Sequence, residues 1–261
     1  MNILRKITIF CLLVTLMTAC SQDDEPDTSV VEPSVVPPFR GTPYVDPDII
    51  TKADSSTFVG LVFAGRGSRI MYDRRENDWV TLNVFLFDAA FGDSLFLEVQ
   101  VNPEFGSAQA AEVEAVKYAT VIGQLPTALR SDVRTVSIHK GDELYGGGNN
   151  NILIHTGMTP AFEELGALEE ILAHEAAHTS MDKYSNSSEW SIAQESDGNF
   201  ISKYARDYPN REDMAETFLM YLAVRYRSDR IEQSIGRKVR ETIPNRLVYL
   251  DSKKFDMYPI E

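Results

Sequence analysis

The chain has 261 residues, 43% of them hydrophobic and 25% charged, with a net charge of −14. That length supports one domain with a sizeable core, and the acidity repels phosphates, which excludes a nucleic-acid partner. The two cysteines, Cys11 and Cys20, both fall in the first twenty residues. The remainder therefore has no disulfide, thiolate metal ligand or cysteine nucleophile.

Residues 1–19 read as a lipoprotein signal peptide. Arg5 and Lys6 form a positive start, and Ile7 to Met17 is an apolar run too short to span a membrane. Leu16-Met17-Thr18-Ala19-Cys20 resembles a bacterial lipobox, with Cys20 as the lipidated residue. Ser21-Gln22-Asp23-Asp24-Glu25 resembles the acidic signal that exports some lipoproteins to the cell surface. Removing residues 1–19 takes away two positive charges and moves the net charge from −14 to −16. Residues 20–56, rich in Pro, Ser, Thr and acids, are expected to be a flexible tether. These features place the chain on a bacterial outer membrane or cell surface, held by a lipid anchor.

The domain is expected over residues 57–261, β-rich in residues 57–105. Residues 57–64, Trp79 to Phe87 and Leu95 to Val101 read as strands, with turns at Gly65-Arg66-Gly67 and Gly92-Asp93. Ala108 to Gln124 reads as a helix, and Val133 to Ile138 and Asn151 to His155 as short strands. Gly146-Gly147-Gly148-Asn149-Asn150-Asn151 lacks the Lys-Ser/Thr of a phosphate loop and reads as a loop at a cleft mouth. A helix follows Thr159-Pro160, marked by Leu165, Leu168, Ile171 and Leu172.

That helix carries His174-Glu175-Ala176-Ala177-His178, the pattern H-E-x-x-H, with two of the chain's four histidines. Histidines four apart sit about 40° apart on one helix face, one turn above the other. Both imidazoles can then reach one Zn²⁺, and Glu175 is placed to act as general base on a water beside it. Ala173, Ala176 and Ala177 are small enough for another element to approach closely.

A hydrolytic zinc site needs a third protein ligand. The form with a histidine six residues past the second would need Gly at 181 and His at 184, where Met181 and Tyr184 stand. A glutamate about twenty residues past the second histidine is missing too, since Gly198 stands there. A more distant helix remains: Asn210 as N-cap, then Met214, Phe218, Tyr221 and Leu222 at helical spacing. Glu212 and Glu216 lie on one side of it. Glu212 can ligate zinc and Glu216 can accept from a ligating imidazole, with Glu195, Asp197 and Glu216 as alternative ligands.

Three segments together carry a resemblance: His174–His178, then Gly198-Asn199-Phe200-Ile201-Ser202-Lys203-Tyr204-Ala205, then Glu212-Asp213-Met214-Ala215-Glu216. Over roughly residues 108–226 the chain resembles the zinc-binding metallopeptidase family of bacterial lipoproteins. More distantly it is similar to the catalytic domain of anthrax lethal factor, a gluzincin. Asn199 interrupts the family's Gly-Phe pair, and Met214 stands where Phe is usual. The resemblance implies Glu212 as third ligand, Glu216 as the acid behind a ligating imidazole, and Tyr204 as oxyanion donor, with Tyr208 as the alternative. It implies an α+β, zincin-like two-lobed fold: a small mixed sheet, a helical C-terminal lobe, and one zinc in the cleft between.

In such folds an edge strand beside the zinc helix pairs with the extended substrate. Asn151 to His155 is the expected strand, with His155 as a possible substrate contact. The expected activity is hydrolysis of peptide bonds in a peptide or protein substrate by a monomeric zinc enzyme. The alternatives are an inactive zinc-containing binding lipoprotein and a zinc hydrolase of non-peptide amides.

Overall fold

The computed structural model describes residues 35–261, so the expected signal peptide, Cys20 and residues 20–34 lie outside the described residues. The compact unit runs from Val35 to Glu261. It is a mixed α+β structure with a six-stranded open sheet and, among the described residues, ten α-helices.

Strands β1 (Phe58–Asp73) and β2 (Asp78–Phe91) form a long antiparallel hairpin, and β3 (Phe96–Val101) pairs antiparallel with β2. The expected turn at Gly65-Arg66-Gly67 is instead a break in register inside β1, between Phe63 and Gly65. Gly65 takes φ +92°, which a residue with a side chain rarely adopts, so the chain bulges and continues rather than reversing. Reversal comes at residues 74–77, where Asn77 supplies the positive φ.

Helix α1 (Ala108–Ile122) begins where Ser107 accepts from the Ala110 N–H. Short α2 (Thr127–Arg130) leads into β4 (Thr135–His139), then β5 (Gly146–Gly148) and β6 (Asn151–His155). The sheet order is β1-β2-β3-β4-β6-β5. Strands β3, β4 and β6 run parallel, and β5 returns antiparallel to β6. Asn151 to His155 is therefore internal, and the edge strand is the Gly-rich segment expected to be a loop. With no side chains, Gly146–Gly148 carries no strand pattern, but its backbone pairs with Asn151, Ile152 and Leu153.

After α3 (Thr159–Glu164), Gly166 at φ +65° breaks the expected single helix, and α4 (Leu168–Ser180) starts afresh. Leu168, Ile171, Leu172, Ala173, Ala176 and Ala177 of α4 are buried in the main core. Then follow α5 (Asp182–Ser185), α6 (Ser188–Asp197) and α7 (Lys203–Asp207). Helix α8 (Asp213–Tyr226) is buried from Asp213 to Val224, and α9 (Gln233–Thr242) and α10 (Pro244–Lys253) complete the chain. Arg246 of α10 is wholly buried. It bonds Asp197 at the end of α6 (2.8 Å), Asp213 at the start of α8 (2.5 Å) and the Asn199 carbonyl, tying three elements together.

The described part of the expected tether, residues 35–56, is not free. Ile49 and Ile50 are 0% and 1% exposed in the core. Phe39 bridges Ser202, Ile50 N–H donates to Glu170 Oε1 (2.9 Å), and Arg230 grips Asp54 (2.6 Å). The packed structure therefore reaches back past residue 57 at least to Phe39: two isoleucines and a set of backbone donors outweigh a linker-like composition.

Candidate metal centre

Two helices supply the centre. Helix α4 presents His174 and His178 one turn apart, and Glu212 precedes the first turn of α8, which packs against α4. The expected start of that helix at Asn210 is not taken: residues 209–212 form turns and α8 begins at Asp213. Glu212 is left at the junction, its carboxylate 1% exposed and turned to the histidines.

The three donors converge. His174 Nε2 and His178 Nε2 are 3.2 Å apart, and Glu212 Oε2 lies 3.3 Å from the first and 3.0 Å from the second. Four-coordinate zinc with bonds of about 2.0–2.1 Å has ligand–ligand edges of about 3.3 Å, so the triangle has the size such an ion requires. Glu212 Oε2 is buried and accepts no aligned hydrogen bond, although a buried carboxylate oxygen is normally satisfied. A divalent cation would supply the missing partner. This buried group can hold a metal ion.

The surroundings hold the donors in place. Glu216 Oε1 lies 3.3 Å from His174 Nδ1, and its Oε2 accepts from Thr42 N–H at 2.8 Å. Glu212 Oε1 accepts from Tyr204 Oη at 3.0 Å and faces Arg211 Nε at 3.1 Å. Burial opposes a charge on His174, but the carboxylates of Glu212 and Glu216 outweigh it and raise the imidazole to about 10. The same two histidines hold Glu212 well below the usual carboxylate range against the effect of burial.

The centre opens on a cleft of about 530 Å³, lined by Glu175, Tyr204, Arg211 and, from the N-terminal segment, Arg40 and Tyr44. A second recess of about 200 Å³ continues past His178 and is lined by Gly147. Leu144 and Tyr145, just before β5, line the first, and Gly147 of β5 lines the second. Glu175 is half-buried on the cleft wall. Burial, with the charges of Glu175 and Glu216 nearby, raises the Tyr44 phenol.

The structure thus brings His174, Glu175, His178, Tyr204, Glu212 and Glu216 together. Tyr208 packs edge-on against Tyr204 but does not line the cleft. His155 is not there either. It is fully buried, stacked on His139 at 5.3 Å, with Nδ1 bonded to the Lys140 carbonyl at 2.9 Å. An internal strand buries the end residue that an edge strand would have exposed, so His155 has no substrate contact to make. The alternative ligand Asp197 is committed to Arg246, and Glu195 lies outside the donor group.

Sequence reasoning missed Thr42, Arg40 and Tyr44, whose Pro-rich setting gives no periodic signal. It placed Gly147 at a cleft mouth, but as a loop rather than as the edge strand. No family model matches the chain, and no curated protein or solved structure matches it either.

Proposed function

We propose that the chain is a zinc-dependent metallopeptidase of the gluzincin type, with a zincin-like cleft between the sheet and the C-terminal helices. We assign it to the lipoprotein metallopeptidase family it resembles, anchored through lipid on Cys20 outside the cell. The observation that carries this reading is the position of Glu175. It follows a ligating histidine on α4 and lines the same cleft into which the buried His174–His178–Glu212 group opens.

His174, His178 and Glu212 would hold the ion, and the Glu216 carboxylate, 3.3 Å from Nδ1, would orient the His174 ring. Bound there, zinc supplies Lewis acidity, which acidifies water and polarises a carbonyl. Glu175 takes a proton from the attacking water and returns it to the leaving amine. Tyr204, 40% exposed, turns its hydroxyl from Glu212 to the oxygen on which charge develops. Strand β5 offers its unpaired edge to an extended peptide, which backbone hydrogen bonds would align along the recess lined by Gly147.

The test is Glu175→Gln. Metal analysis should find about one zinc per chain in both proteins, and peptide hydrolysis should fall by roughly 10²–10⁴-fold in the variant. Equal hydrolysis by both proteins would end the mechanism.

A further inference from the structure

The charges of the cleft are sorted by depth. Two of its carboxylates, Glu212 and Glu216, are buried and committed to the imidazoles, and the third, half-buried Glu175, to proton transfer in the reading above. Its rim carries three arginines in a chain whose net charge is −14. They come from three separate places: Arg40 from the N-terminal segment, Arg74 from the β1–β2 turn, and Arg211 from the turn before α8.

Arg74 is the most constrained. Its Nη2 donates to the Tyr145 carbonyl at 2.9 Å, which fixes the guanidinium at the start of the edge strand. Its Nε is buried and donates to nothing. Its neighbour Arg75 is clamped by Asp73 and Glu104 at 2.6 and 2.8 Å. Arg74 and Arg40 form no ion pair among the described residues, and Arg211, its side chain 69% exposed, pairs there only with Glu212. A half-buried guanidinium held by a carbonyl, with no carboxylate of its own, is a fork ready for a carboxylate brought by a ligand. Because Arg74 sits beside Tyr145 and Gly146, a peptide paired along β5 would pass it within side-chain reach.

We propose that the cleft selects peptides bearing a carboxylate close to the cleaved bond, received by Arg74 with Arg40 and Arg211 at the rim. The carboxylate is that of an Asp or Glu side chain or of the peptide's own C-terminus. This inference rests on the peptidase reading and deepens it.

The experiment digests a complex peptide library with the zinc-loaded protein and with Glu175→Gln as the blank. Glu175-dependent cleavages enriched in Asp or Glu beside the cut, or confined to the last few residues of free-acid peptides, support the proposal. The two sources are then separated by one cleaved peptide in four forms: Glu or Gln beside the bond, and a free or amidated C-terminus. The preferred carboxylate form should be cleaved at least tenfold faster, and Arg74→Gln should shrink that ratio severalfold. Arg40→Gln, at an exposed position, should shrink it without any burden on folding. Abundant Glu175-dependent cleavage with no carboxylate preference overturns this proposal alone. No Glu175-dependent cleavage anywhere overturns the peptidase reading, and this proposal with it.

Discussion

Glu216 divides its carboxylate between the metal centre and the N-terminal segment. One oxygen faces His174 Nδ1 at 3.3 Å, and the other accepts from Thr42 N–H at 2.8 Å. A negative charge behind a ligating imidazole fixes its tautomer and raises its basicity toward metal. Glu216→Gln keeps an oxygen for Thr42 but loses that charge. Its metal affinity should fall by about 10–100-fold, read by competition against a chelator, while the protein stays folded. An unchanged affinity would mean that Glu216 serves only to dock the N-terminal segment. The hydroxyl of Thr42, donating to the Glu216 carbonyl at 3.0 Å, secures that docking independently.

At the scale of elements, the distance between α4 and β5 depends on Gly147. A Cβ there would come within 1.9 Å of the Glu175 carbonyl oxygen, a backbone atom that no rotamer change can move. Gly147→Ala should push the edge strand from α4. It should cost about 1–3 kcal/mol, the usual scale of overpacking, read as a lowered melting temperature together with weaker metal binding. A variant that melts and binds metal like wild type would show that the contact gives way easily. The same contact explains what was legible in the sequence. His174 and His178 are four residues apart on one helix, so local spacing alone places both rings on one face. Glu212 was legible because only one further helix offered a carboxylate with a second acid one turn on. The edge strand was hidden, because three glycines have no alternation and sheet order is a long-range property. The N-terminal segment was hidden for the same reason: Thr42 meets Glu216 across 174 residues, and Ile49 and Ile50 are two apolar residues in a stretch that otherwise reads as linker.

Over the whole molecule, that segment is bound to the core through an acid whose charge the fold suppresses. Glu170 on α4 is 0% exposed, and its Oε1 accepts from Ile50 N–H at 2.9 Å. Burial raises its carboxyl to about 9, opposed by the Ile50 hydrogen bond and reinforced by the charges of Glu169 and Asp46. In the unfolded chain the same group ionises near its ordinary value of 4.5. Between those two values the folded state holds a proton that the unfolded state releases, so rising pH favours unfolding, by at most about 1.4 kcal/mol per pH unit. Glu170→Gln keeps an acceptor for Ile50 and cannot ionise, so this loss should vanish. Melting curves of both proteins, taken in excess chelator from pH 5 to pH 8.5, should diverge in one direction only. The variant gains on wild type as pH rises, at about 2–4 °C per kcal/mol for a chain of this size. Parallel curves would show that Glu170 is already ionised in the fold. The neutral acid would then be replaced by a buried carboxylate stabilised by the Ile50 amide, and the N-terminal segment would be held by charge rather than by burial.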